Sequence, residues 1–250
     1  MRIIVCIKQV ADTEASIQIS ADGKSVVETG VKFIINPYDE FAVEEALRIK
    51  EADNQSLVKV IGVGPERTTE ALRSACAMGA DEVLLLKTEA PVYDALALAG
   101  ALADAIKKEP FDLILLGKET IDDGNGEIGP MLAEMLLIPC MTVVTRLKVQ
   151  GDLAVAEREG ERGIEEMTAP LPLLVTCQKG LNEPRYPSIR GVMAAKKREI
   201  PVQPAVLAPA AIEVQSLTMP APRKAGRIIG EGAAAVPELI RLLKEEAKVL

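Results

Sequence analysis

The segment 111–131, FDLILLGKETIDDGNGEIGPM, gathers the residue types best suited to hold a phosphate. Gly124, Gly126 and Gly129 stand in a G-x-G-x-x-G spacing, and small residues let backbone N–H groups approach an anion. A helix predicted to start near Glu127 or Pro130 would turn its positive end toward the same place. Glu119, Asp122, Asp123 and Glu127 add four acids within nine residues. Such a group could hold magnesium or a ribose, but with no companion acid cluster it reads as a solvated loop, and no metal is expected. Asp122, at the bend, suits an Asx-type turn. The spacing is not in a dinucleotide-fingerprint context. Gly124 lies seven residues past Gly117 instead of directly after a strand, and Arg146 and Lys148 occupy the region where a ribose-binding acid would stand. The expectation is a generic nucleotide phosphate loop formed by Gly117, Asp122, Asp123, Gly124, Asn125, Gly126, Glu127 and Ile128, against the plainer reading of a flexible solvent loop.

A second stretch, Asn182-Glu183-Pro184-Arg185-Tyr186-Pro187, is a rigid turn carrying Arg and Tyr, types enriched at interface hot spots. It leads to Ile189 and then to Lys196-Lys197-Arg198, a basic run on an acidic protein. One reading is a solvated helix face. The other is an exposed apolar anchor flanked by charge that steers acidic partners.

Composition removes whole classes of function. The chain contains no histidine, which excludes Ser-His-Asp and Cys-His nucleophile systems and histidine-ligated metals. Proton chemistry would fall to carboxylates or lysines, whereas a protein whose cofactor does the chemistry needs no histidine. A net charge of −8 argues against nucleic acid or an anionic membrane as partner, and 2% aromatic residues leave little for base stacking. The four cysteines, Cys6, Cys76, Cys140 and Cys177, are too scattered for a metal framework and are expected as buried free thiols. No signal peptide and no long apolar run is seen, so no membrane insertion and a cytoplasmic location are expected.

The elements that must position these residues alternate. Apolar runs at 2–8, 58–63, 82–86, 112–116 and 140–144 read as buried strands, and helical patterns fall near 37–50, 66–78, 93–107 and 127–137. Asn36 is placed to cap the first helix, with Pro37 in its first turn. A hairpin is expected around Asp22-Gly23, an antiparallel pair from 146 to 167, and another buried strand at 171–177. Residues 200–222 hold five prolines and read as an extended arm, followed by an amphipathic helix over 233–249. The fold class is therefore α/β, a Rossmann-like doubly wound parallel sheet with an antiparallel appendage and an extended C-terminal arm. The expected division is a nucleotide-binding domain over 1–199, with a docking loop at 181–199, and an arm with its helix over 200–250.

Several motifs together resemble one family. These are Val31-Lys-Phe-Ile-Ile-Asn-Pro-Tyr-Asp-Glu with Ala42-Val-Glu-Glu-Ala, Ala77-Met-Gly-Ala-Asp, Gly117-Lys-Glu-Thr-Ile-Asp-Asp, and Leu181-Asn-Glu-Pro-Arg-Tyr-Pro with Ala195-Lys-Lys. In order and over essentially the whole chain, they resemble the electron transfer flavoprotein β subunit. That resemblance implies a heterodimer with an α subunit that holds most of a redox FAD, and a structural AMP in this chain. Cys6, Asn36, Pro37, Tyr38, Asp39, Val63 and the 117–128 loop match the nucleotide-binding positions. Thr13 and Tyr38 fall where the β subunit approaches the partner's FAD. Tyr186, Ile189, Met193, Lys196 and Lys197 fall in the segment that docks acyl-CoA and related flavin dehydrogenases. Electrons would pass on to a quinone oxidoreductase or similar acceptor, so the chain is an electron carrier without substrate turnover of its own. The loop departs from the family, since it has neither the Asn-Gln-Thr of AMP-holding members nor the Asp-Gly-Asp-Thr of bifurcating ones. Two other readings stand beside this one: a bifurcating subunit whose second FAD reacts with NADH, and a stand-alone adenine-nucleotide-binding domain.

Overall fold

The computed structural model describes residues 1–53, 55–222 and 225–250. It separates into two compact units, Met1–Ser216 and Leu217–Leu250.

The first unit begins with β1 (Arg2–Ile7), whose side chains are buried on both faces, as a central parallel strand requires. A short antiparallel pair follows, β2 (Gln9–Ala11) with β3 (Phe33–Ile35). The hairpin expected between them survives as a single bridge, Ile19 to Val26. Next come α1 (Pro37–Ala52), β4 (Leu57–Gly64), α2 (Thr69–Met78), β5 (Glu82–Lys87), α3 (Ala95–Ile106), β6 (Leu113–Gly117) and α4 (Ile128–Leu136). The chain continues through β7 (Cys140–Gln150), β8 (Leu153–Gly160), β9 (Gly163–Pro170) and β10 (Leu173–Cys177), then α5 (Ile189–Lys197) and β11 (Val202–Pro204).

These strands form one nine-stranded sheet in the order β11-β5-β4-β1-β6-β10-β7-β8-β9. From β1 the chain steps outward to β4 and β5, then crosses back through α3 to β6 on the other side of β1. The sheet therefore reverses its winding direction between β1 and β6, which opens a crevice at their carboxyl ends. Side-chain alternation divides the core. Ile3, Val5 and Ile7 of β1 pack with α1 and α2, while Ile4 and Cys6 pack with α3 and α4.

Two features extend the expected plan. The antiparallel part is continuous with the main sheet, because β7 pairs parallel with β10 in its first half and antiparallel with β8 in its second. A bulge near Val144–Arg146, where Val143 takes φ 61°, lets one strand serve both neighbours. The arm is also less free than its prolines suggest. Val202–Pro204 adds an edge strand to β5, where proline is tolerated, and Asp94 accepts the backbone N–H groups of Ala211 and Ile212.

The second unit carries α6 (Val236–Glu245), with Arg241 paired to Glu238 and Glu245 on its polar side. Val236, Leu239 and Ile240 remain exposed along it. Among the described residues no helix is long and apolar enough to cross a membrane.

Gly129 lets α4 lie against β10, since a Cβ there would stand 2.4 Å from Thr176 Cγ2. Gly129→Ala is expected to cost about 1–3 kcal/mol through overpacking, read from the denaturant midpoint. An unchanged midpoint would mean that α4 slides without penalty.

Candidate functional site

The crevice forms where β1 and β6 end. Its floor is Cys6, Ile7 and Lys8 from the end of β1 and just beyond, with Leu116 and Gly117 from β6. Val92 just before α3, with Leu98 and Leu102 on it, supplies an apolar wall, and Val63 from β4 continues it. The opposite wall is the glycine loop and the first turn of α4, from Asn125 to Gly129.

One buried carboxylate fixes the floor. Asp39, in the first turn of α1, accepts the backbone N–H of Lys8 at 2.7 Å and that of Gly117 at 2.8 Å. Gly117 must be glycine, because a Cβ would come within 2.6 Å of both Asp39 Oδ1 and Tyr38 Cβ. Burial pushes Asp39 up to about 7, against the pull of these N–H bonds. Burial, and then the charge of Asp39, push the Cys6 thiol up to about 12, so it is a neutral wall element. Among the other cysteines, Cys177 is buried and Cys76 half-buried. Cys140 is exposed at the first position of β7, contrary to the expectation that all four thiols are buried.

Asn36 precedes α1 but does not cap it with its side chain. Its amide turns to the loop instead, donating from Nδ2 to the Glu119 carbonyl at 2.9 Å and accepting the Ile121 N–H at 3.2 Å. Pro37 occupies the first helical position, as expected. Lys8 reaches the same loop. Its ammonium lies 2.8 Å from both Asp122 Oδ2 and Asp123 Oδ2, and 3.3 Å from Thr120 Oγ1. Burial opposes its charge, yet the hydrogen bonds to Asp122 and Asp123 raise Lys8 above the usual lysine range. Lys118 stands over the Tyr38 ring and pairs with Glu119 at 3.1 Å.

The second half of the loop is the reverse. Gly124 and Gly126 take left-handed φ values of 66° and 67°. The N–H groups of Gly126, Glu127, Ile128 and Gly129 have no hydrogen-bond partner among the described residues. The Glu127 side chain is exposed to solvent. Four free donors on a turn that opens a helix make an anion nest whose affinity lies in the backbone. The N-terminus of α3 offers no equivalent, because Asp94 Oδ1 already accepts the N–H groups of Leu96 and Ala97.

Of the residues selected from sequence, Cys6, Asp39, Val63, Gly117, Asp123, Asn125, Gly126, Glu127 and Ile128 line the crevice. Asn36, Asp122 and Gly124 shape its loop. Thr13 is exposed and hydrogen-bonds Asp12 at 3.5 Å, away from the crevice lining. Lys8 and the α3 wall were not selected. No sequence signal marked Lys8, because the reversal point at which it stands follows from the strand order.

The second stretch lies on a different face. Asn182 donates to the Phe41 carbonyl at 3.0 Å and to Glu45 at 2.9 Å, and Arg185 pairs with Glu44 at 2.8 Å and with Glu51. Burial works against the charge of Glu44, but Arg185 and Arg48 hold its carboxyl below the usual range. Arg185 is thus committed to α1 and fastens the turn instead of projecting from it. Ser188 caps α5 by accepting the Gly191 N–H at 3.0 Å, and Gly191 lets α5 sit on the Ala77 carbonyl of α2. On this rigid base Tyr186 is 98% exposed and Ile189 83% exposed. Met193, Lys196 and Lys197 are exposed beside them.

Asp39 gives the site a pH signature. In the unfolded chain its carboxyl ionises near 4, whereas in the fold it keeps its proton up to about 7. The folded state binds the extra proton, so this contribution to stability is complete below about pH 4 and is lost as pH rises through about 7. Asp39→Asn should be less stable throughout, because an amide cannot accept both N–H groups. The stability advantage of the wild type over it should shrink between pH 4 and 8, by at most about 1.4 kcal/mol per pH unit, in parallel denaturant titrations. A flat difference would mean that the carboxyl is ionised across this window.

The comparisons with known proteins agree among themselves. Residues 24–208 match the family model of the electron transfer flavoprotein domain. The chain is 41% identical over 260 aligned positions to the electron transfer flavoprotein subunit beta of Bacillus subtilis, covering all of both chains. It is 36% identical to the protein of the same name from Syntrophomonas wolfei, covering all of this chain and 98% of that one. To the human protein of that name it is 39% identical, over 81% of this chain and 80% of the other.

Proposed function

The chain belongs to the electron transfer flavoprotein family, among its β subunits, and we propose that it holds a structural AMP while an α subunit holds the redox FAD. The observation that carries the nucleotide reading is the nest of unpartnered N–H groups, Gly126 to Gly129, at the sheet's reversal point. The phosphate would rest on these donors, and the Val63, Leu98 and Leu102 wall would take the adenine. A bound FAD would bring a second phosphate. Two other helices start on the crevice among the described residues: α3, already capped by Asp94, and α1, which opens with a proline and whose Asp39 and Glu40 N–H groups bond the Asn36 carbonyl. This favours a mononucleotide over a second, bifurcating flavin.

The redox chemistry is supplied by the FAD of the α subunit. This chain contributes geometry and a docking surface, consistent with the absence of histidine. In this reading the turn before α5 presents Tyr186, and α5 presents Ile189 and Met193, to a flavin dehydrogenase of the acyl-CoA type, with Lys196 and Lys197 steering an acidic partner. Electrons then leave to a quinone oxidoreductase or similar acceptor. The C-terminal segment, ending in the amphipathic α6, packs on the α subunit, and Thr13 and Tyr38 lie toward its flavin.

Denaturing the purified heterodimer and quantifying released nucleotides tests the cofactor assignment. One FAD with one AMP per heterodimer is expected, whereas two FAD and no AMP would establish the bifurcating type. Ile189→Ala tests the docking face. Removal of a central apolar anchor, costing about 2 kcal/mol, should slow electron acceptance from the dehydrogenase about tenfold or more with nucleotide content unchanged. Loss of nucleotide in that variant would instead make Ile189 structural.

A further inference from the structure

We infer that Lys8 is a positioning residue, holding the 119–123 half of the loop over the crevice through Asp122 and Asp123 and leaving the phosphate to backbone donors. This rests on the mononucleotide reading of the same site. The loop is built in two unlike halves. Its first half is fastened to the protein body at several points, by Asn36 to the backbone of Glu119 and Ile121 and by Lys8 to Thr120, Asp122 and Asp123. Its second half, Gly124 to Gly129, supplies the free donors.

The chemistry of the ammonium supports the division. A lysine ammonium has three N–H donors, and Thr120, Asp122 and Asp123 take all three. None remains for a phosphate oxygen. One positive charge against two carboxylates leaves the cluster net negative, so it does not attract an anion. Removing that charge would leave Asp122 and Asp123 repelling each other and any phosphate beside them. The base of the side chain is also fixed, since the Lys8 N–H is held by Asp39 at 2.7 Å. The three side chains are 31%, 39% and 45% exposed, so the clasp adds little to global stability and acts on loop opening.

The experiment is a mutant cycle on the heterodimer, reading the rate of AMP release into excess free AMP and hydrogen exchange of amides 124–127. Lys8→Met and the paired Asp122→Asn, Asp123→Asn variant should each release AMP faster, by about three- to tenfold, and exchange faster. Their combination should be no faster than Lys8→Met alone, and Lys8→Arg should restore release to within about twofold of wild type. Slower release from the aspartate variant would show a freed ammonium reaching the phosphate and would overturn the inference. So would multiplicative effects, or release and exchange unchanged in both variants. If the wild-type heterodimer carried no AMP, the mononucleotide reading would fall, and exchange would then judge the clasp by itself. Faster exchange in both variants, without addition, would support it, and unchanged exchange would overturn it.

Discussion

Everything at the reversal point of the sheet depends on the Asp39 carboxylate, which accepts N–H groups from two strands that diverge there. Strands β1 and β6 are paired through Val5 and Leu115 and separate just beyond. The donors at Lys8 and Gly117 have left the ladder, and an unpaired buried N–H costs about 1–3 kcal/mol. A single acceptor in the first turn of α1 meets both, and the positive end of that helix favours the charge it would carry. The arrangement constrains its neighbours. Gly117 has no room for a side chain, and α1 must begin within hydrogen-bond reach of both strands. The crevice keeps its floor because the floor's own backbone is satisfied from beneath.

The alternation of strand and helix was legible because aliphatic runs as short as Leu113–Leu116 are too brief for a globular helix and, between helical patterns, fit buried parallel strands. Strand order is set by pairings between residues far apart in sequence, so it was not. The turn that opens α4 could be read from its glycines, because left-handed backbone leaves a mark in composition. Lys8 left none. A lysine after a strand is ordinary until the fold brings Asp122 and Asp123, more than a hundred residues later, within 3 Å of it. Asn36 shows a related limit. Its type and position suit a helix cap, but the loop offered its amide two backbone partners and these prevailed over the local one. Val202–Pro204 joined the sheet for a similar reason, since β5 offered an open edge where a proline costs no ladder bond.

Arg185 was selected from sequence as a hot-spot type, and its surroundings give it a different role. Its guanidinium is shared between Glu44 and Glu51, and Asn182 is held by Glu45 and the Phe41 carbonyl. Fastening the turn this way leaves Tyr186 and Ile189 projecting from a rigid base. A backbone already fixed beneath these side chains has little main-chain entropy left to lose on contact, which favours binding.

The two surfaces are joined by a single element. Helix α1 begins with the residues that fix the crevice, Asn36 before it and Asp39 in its first turn. Glu44, Arg48 and Glu51, spaced on one face, meet the 182–187 turn further along. A helix of 16 residues rises about 24 Å and resists bending, so α1 ties the spacing between the crevice and the 182–187 turn to its own length. A protein that passes electrons between flavins must hold its separations closely. In the proposed function, a nucleotide in the crevice would stabilise the start of α1, whose later turns fasten the segment that carries Tyr186 and Ile189, so a bound group with no redox chemistry of its own would still serve electron transfer.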